Sequence, residues 1–175
     1  NISPGYSYER AKDQENFLSR ENTKKIFRNL FKDKNFKKWN FNQSNLYLDF
    51  LAGNQTYLCK PWSSPTYNIF GWQKPCYHLS EGYYKTFDEL INKTDWKQYG
   101  TGNYDKCSDC MTHCGYESTA IEALYKNPWE GLKKKIFGIR TTGPMVEDIK
   151  LSASRPAEDL YDKILEQKMY ELDLM

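Results

Sequence analysis

Five cysteines lie in the middle third of the chain: Cys59, Cys76, Cys107, Cys110 and Cys114. Cys59 is followed by eleven residues, Gly71, four more residues and Cys76; after a gap of thirty residues comes Cys107-x2-Cys110-x3-Cys114. Two residues between cysteines let both thiolates face one metal or cluster from a single tight turn. A hairpin turning at Gly71, a residue tolerant of positive φ, would bring Cys59 and Cys76 together from its two ends. Four such thiolates suit a [4Fe–4S] cluster, and a structural zinc accepts the same set. His113 makes a Cys-x2-Cys-x2-His run with Cys107 and Cys110, compatible with zinc, so spacing alone leaves iron and zinc near parity. The favoured ligands are Cys59, Cys76, Cys107 and Cys110, with Cys114 as the spare or a substitute. His78 and His113 are expected at the surface or beside the site.

An odd number of cysteines would leave one thiol over in a disulfide framework, and three within eight positions suit a metal better than bridges. A reducing, cytoplasmic compartment is the simpler expectation. The net charge of +2 gives no general argument for nucleic acid or an acidic partner. No apolar run reaches the ~20 residues of a membrane span, and no signal peptide is visible. Sequons at Asn42, Asn54 and Asn92 are read as chance matches in a chain rich in Asn.

The elements that must position the cysteines follow from spacing and capping signals. Residues 1–15 read as a polar, irregular lead-in. Ser19 can cap a helix whose apolar stripe is Ile26, Phe27, Leu30 and Phe31, with Arg20, Lys24 and Lys25 off the stripe. Ser44 can cap a short second helix with Leu48 and Leu51 on its apolar face, ended by Gly53. Aromatic-rich runs on either side of Gly71 predict a β-hairpin, the second run being an edge strand because it contains Pro75. Thr86 and Glu89 form a capping box for a helix to about Lys93. Thr119 with Glu122 offers another cap, and Asn127-Pro128 opens a helix that closes at Gly138. A last helix from Pro156 would carry Leu160, Ile164, Leu165 and Met169.

Long strings of the chain are distinctive: ISPGYSYERA at 2–11, FNQS at 41–44, LDFLAGNQT at 48–56, GWQKPCY at 71–77, YGTG at 99–102, CSDCMTHCGYE at 107–117 and RTTGP at 140–144. The pattern C-x11-G-x4-C, gap, C-x2-C resembles the auxiliary-cluster modules (SPASM and twitch) of radical S-adenosylmethionine enzymes. The strings together resemble the hopanoid-biosynthesis radical SAM family of adenosyl-hopene transferases (HpnH), across essentially the whole chain.

That resemblance implies a partial (β/α) barrel whose C-x3-C-x2-C motif holds a [4Fe–4S] cluster and cleaves S-adenosyl-L-methionine. The 5′-deoxyadenosyl radical adds to the alkene of the triterpene hopene (diploptene) to give adenosylhopane, with electrons from a donor protein such as flavodoxin or ferredoxin. This chain has no C-x3-C-x2-C; its only cysteine trio is C-x2-C-x3-C. It therefore reads as the C-terminal portion of such an enzyme, inactive alone, with an α+β fold. In this reading 1–52 is the end of the barrel, 53–126 a cysteine-rich hairpin-plus-helices module, and 127–175 a helical extension. The opening residues would end a late barrel strand, making Ser3, Tyr6 and Glu9, with Tyr8, candidates for cofactor or substrate contact. The accessory cluster would hold the domain together, pass an electron, or bind substrate.

A lipid substrate implies contact with a membrane surface, at the inner face. Trp129, Leu132, Ile136 and Phe137 beside Lys133-Lys134-Lys135 suit a bilayer interface, although an amphipathic helix packing on the domain is the simpler expectation. Two other functions remain open: the accessory domain of another radical SAM enzyme, and a free-standing zinc or iron–sulfur module that binds a partner protein.

Overall fold

The computed structural model describes residues 2–4 and 17–151. Tyr6, Tyr8, Glu9 and the helix expected from Pro156 lie outside the described residues. The fold is α+β. Among the described residues, five α-helices accompany a small antiparallel sheet on which α3 packs: α1 Arg20–Phe31, α2 Asn45–Leu51, α3 Phe87–Lys93, α4 His113–Lys126 and α5 Pro128–Phe137. The strands are β1 Thr66–Asn68, β2 Gly71–Gln73 and β3 Tyr83–Tyr84, in the order β1-β2-β3.

Ser19 caps α1, its hydroxyl accepting from the Asn22 N–H at 3.2 Å. The buried face differs from the expected stripe. Phe27 and Phe31 turn inward, but Ile26 is 47% exposed, while Arg20, Lys24 and Arg28 are 4%, 4% and 7% exposed. Three cations at four-residue spacing share one helical face and enter the interior because partners wait there. Arg20 Nε and Lys24 Nζ both meet Asp148, at 2.7 and 2.5 Å. Arg28 donates to the carbonyls of Ala52 (2.7 Å), Gly143 (2.6 Å) and Pro144 (3.3 Å) and to Asn54 Oδ1 (3.0 Å). Buried charge is tolerated when fully bonded in this way, and the apolar stems still pack. These three residues clamp the extended segment 143–148 against α1.

Ser44 caps α2 by accepting from the Tyr47 N–H at 3.1 Å. The helix is buried on every side, Leu46 through Leu51. The main core joins Phe27 and Phe31 of α1, Tyr47, Leu48, Phe50 and Leu51 of α2, and Met111, Tyr116 and Ala120 around α4. Asn54 is buried and donates to Asp49 Oδ1 and the Arg140 carbonyl, so that sequon is not a surface site.

The hairpin forms, with Ile69 and Phe70 at its tip. Gly71 opens β2 at φ +121°, paired with Asn68, and a Cβ there would press on the Tyr84 carbonyl. The edge-strand expectation fails: β2 is the central strand, flanked by β1 and β3. Pro75 lies beyond β2, so it removes no ladder hydrogen bond. The Thr86–Glu89 capping box opens α3 as expected.

Helix α4 begins at His113, six residues before the expected cap at Thr119. Thr112 occupies the N-cap with extended backbone, and the Thr119 hydroxyl instead donates to the Leu58 carbonyl at 2.8 Å. Cys114 and Gly115 therefore sit in the first helical turn. Asn127, Pro128 and Gly138 bound α5 as expected. Its packing is inverted. Lys134 faces inward to the fully buried Asp49 at 2.9 Å, whereas Trp129, Leu132, Ile136 and Phe137 are exposed.

Candidate metal centre

All five cysteines line one cavity, together with Pro61, Pro75, His78, Leu79, Tyr99, Gly100, Gly115 and Tyr116. The cavity itself is about 30 Å³, and opens to a larger space of about 440 Å³ that includes solvent. Four separate segments deliver the sulfurs. Cys59 lies in the coil before Pro61, tied to α4 by the Lys60 N–H donating to the Gly115 carbonyl at 2.8 Å. The Ser63 hydroxyl donates to the Cys114 carbonyl at 3.0 Å and reinforces that junction. Cys76 lies between β2 and β3 and opens a turn closed by the Ser80 N–H donating to its carbonyl at 3.2 Å. Cys107 ends a short 3-10 turn, Asp105–Cys107, and its carbonyl accepts from the Cys110 N–H at 3.2 Å. This is the tight turn that the x2 spacing predicts. Cys114 is the second residue of α4.

The five thiols share this one cavity. Burial raises the Cys59 thiol first, and all four of the other cysteines add to the shift. Burial pushes Cys76 up to about 11 and Cys114 up to about 12, and also raises Cys107 and Cys110. Thiols held protonated by burial become ligands when a metal displaces their protons, so binding here is linked to proton release.

Hydrogen bonds to sulfur divide the set. Cys76 accepts from the backbone N–H groups of His78 and Leu79. The Gly100 N–H favours the Cys107 thiolate and the Thr112 N–H that of Cys110, whose sulfur shares a hydrogen bond with the Thr112 hydroxyl at 3.5 Å. Cys114 accepts from the Gly115 N–H and the Tyr77 hydroxyl. Such donors stabilise thiolate charge. The largest causes of the Cys59 shift are burial and the other four cysteines. Its sulfur lies where a Cβ on residue 115 would be, a gap that only glycine leaves open.

The donor chemistry fits an iron–sulfur cluster: sulfur ligands, N–H groups aimed at them, apolar walls, and no carboxylate in the lining. Among the described residues, no three His, Cys, Asp or Glu side chains form a group that could hold a single metal ion. His113 is exposed at the start of α4 and does not line the cavity, whereas His78 does. Burial depresses the His78 imidazole to about 4, so it is neutral at ordinary pH.

The surrounding shell was not legible as a site. Arg20 donates to the Cys110 carbonyl at 2.8 Å through Nη1, and its backbone N–H donates to Asp109 Oδ1 at 2.7 Å. Its guanidinium lies 5.3 Å from the Phe50 ring centre and 5.6 Å from that of Tyr116. Tyr116, which lines the cavity, stacks on Phe50 at 4.7 Å and joins the Thr101 hydroxyl. One basic residue at a helix start carries no sequence signal for such a role. Beneath Cys107 and Cys76, Tyr104 and Tyr99 pack with Leu79, and the Tyr104 hydroxyl donates to the buried Glu81. Ser3 is exposed and stands outside the cavity lining.

No curated protein and no solved structure matches the chain. Residues 1–134 match the family described as Domain of unknown function (DUF3463), and this chain belongs to that family.

Proposed function

We propose that the chain is the iron–sulfur-binding accessory portion of a radical S-adenosylmethionine enzyme of the adenosyl-hopene transferase type. The observation that carries the reading is the convergence of all five cysteines, drawn from four segments, on one apolar cavity. A ring of thiols about a cavity suits a polynuclear cluster better than zinc, whose tetrahedral sulfur ligands meet at one point at ~2.3 Å. The exposure of His113 weighs against the Cys-x2-Cys-x2-His form of the zinc reading. The sequence strings quoted above supply the enzyme class and the hopene substrate.

A bound [4Fe–4S] cluster would supply a buried one-electron centre and a covalent cross-link among three segments. Cys76, Cys107, Cys110 and Cys114 would hold it, because neighbouring N–H and O–H groups favour their thiolate forms. The chain's own residues exclude water through Pro61, Pro75, Leu79 and Tyr116. Arg20 holds the Cys110 loop in register through that residue's carbonyl.

Iron, acid-labile sulfide and zinc are to be measured on chain purified and reconstituted without oxygen. The expected result is iron and sulfide in equal amounts with a visible charge-transfer band. Stoichiometric zinc without sulfide overturns the cluster. For the enzyme class, the coding sequence upstream of Asn1 is the test. An in-frame C-x3-C-x2-C motif is expected, and a start codon immediately before Asn1 favours a free-standing partner-binding module instead.

A further inference from the structure

Helix α5 exposes the wrong side of itself for a helix whose only role is to pack on its own domain. A surface helix ordinarily turns its apolar stripe inward. Here Glu130, Gly131 and Lys134 face the domain, and Lys134 is held by the buried Asp49 at 2.9 Å. Trp129 is 70% exposed, Ile136 63% and Phe137 81%, with Leu132 and, from the end of α4, Tyr125 beside them. Because the Lys134–Asp49 pair fixes the rotation of α5, the exposed stripe is a consequence of the packing and not of a loosely attached helix.

The charge around the stripe is net positive, although Lys126 is paired with Glu122 at 3.2 Å. Residues 125–140 carry four lysines and one arginine against a single glutamate, in a chain whose net charge is only +2. That glutamate, Glu130, pairs with Lys133 at 3.0 Å. Three aromatic rings and two aliphatic side chains rimmed by lysines match the interfacial zone of a bilayer with anionic headgroups, where rings insert and lysines remain at headgroup level. A second copy of the chain would set the same net positive charge against this one, whereas anionic headgroups complement it; a protein partner is separated from lipid by the binding test.

We propose that α5 is a membrane-surface contact. It seats the domain on anionic lipid through Trp129, Leu132, Ile136 and Phe137, with Lys133 and Lys135 at the headgroups. Lys134 takes no part, being committed to Asp49. This inference is independent of the metal reading, since none of these residues lines the cysteine cavity.

The full 175-residue chain is to be sedimented with vesicles of mixed phosphatidylcholine and phosphatidylglycerol, and with phosphatidylcholine alone. Binding to the mixed vesicles is expected, weaker without phosphatidylglycerol and weaker in salt. The pair Ile136→Ser and Phe137→Ser abolishes it with an unchanged circular dichroism spectrum, and each of Lys133→Ala and Lys135→Ala weakens it about fivefold. As a comparison, Ile69→Ser and Phe70→Ser at the hairpin tip leave it intact. The proposal is overturned if the chain does not sediment with either vesicle, or if only the hairpin variant releases it. It is equally overturned if Ile136→Ser and Phe137→Ser abolish self-association, or binding to another protein, with vesicle binding unchanged.

Discussion

The sulfur of Cys59 occupies the space that a side chain at Gly115 would need. The two residues come from a loop and from the first turn of α4, and the Lys60 N–H donating to the Gly115 carbonyl at 2.8 Å holds them in contact. Alanine at 115 would gain up to ~1 kcal/mol in helix propensity, but overpacking against a buried loop costs about 1–3 kcal/mol. Gly115→Ala is therefore expected to destabilise the domain by about 1–2 kcal/mol in urea unfolding. Adding Cys59→Ala removes the colliding atom and should restore most of the loss. If the double variant is no more stable than Gly115→Ala, the contact is not what glycine serves here.

The five cysteines are expected to separate in an iron-binding series. Cys76→Ala, Cys107→Ala, Cys110→Ala and Cys114→Ala each lose most of the bound iron, while Cys59→Ala retains it. The spacing of the sequence favours Cys59 over Cys114; the donors to sulfur favour the reverse. Iron analysis of the reconstituted variants decides between the two. Retention in Cys114→Ala with loss in Cys59→Ala restores the partition that spacing favours.

Arg28 makes four hydrogen bonds with one planar head, to Ala52, Gly143, Pro144 and Asn54. Lysine cannot reproduce that fork. Arg28→Lys should cost about 2–3 kcal/mol and loosen segment 143–148. Urea unfolding gives the energy, and limited proteolysis should produce new cleavage near Gly143. Stability within 0.5 kcal/mol of the parent, a range typical of surface substitutions, would show that the clamp is dispensable.

Asp49 is fully buried in α2 and pairs with Lys134, while Asn54 and Gln55 donate to its remaining lone pairs at 2.8 and 3.2 Å. Removing one partner leaves the other charge buried. Lys134→Ala is expected to cost about 2–3 kcal/mol, whereas the exposed Lys135→Ala changes stability by less than about 0.5 kcal/mol. Equal effects at the two positions, measured by thermal unfolding, would place Lys134 at the surface.

Several local features were legible because their signals are local. Ser19, Ser44 and the Thr86–Glu89 pair cap where expected, since a hydroxyl three residues before a free N–H is a short-range relation. The Asn127-Pro128 start and the Gly138 stop are local in another way: Pro128 suits the first helical position, where no N–H is needed, and Gly138 takes a positive φ at the end. The start of α4 was misplaced because Thr112 caps through backbone conformation without a side-chain bond, which leaves no pattern to read. The inward face of α1 was misread because hydrophobicity assigns Arg20, Lys24 and Arg28 to water. Partners distant in sequence make their burial favourable: Asp148 and the carbonyls of 143–146, more than a hundred residues away, with Ala52, Asn54 and Cys110.

Residue types and spacing alone determined that thiolate chemistry is concentrated between Cys59 and Cys114, and that Cys107 and Cys110 share one turn. Whether Cys59 and Cys76 join them is a question of closing loops of tens of residues, and spacing does not encode closure. The tertiary structure decided it, by packing α4 against the Cys59 loop through Gly115. It also decided that Cys114 faces the same cavity and that His113, one residue earlier, does not, because a helical turn sends consecutive side chains about 100° apart. The outward turn of the α5 apolar stripe was likewise a tertiary outcome: a periodic pattern shows that a helix has two faces, and only the Asp49–Lys134 pair selects which one meets the domain.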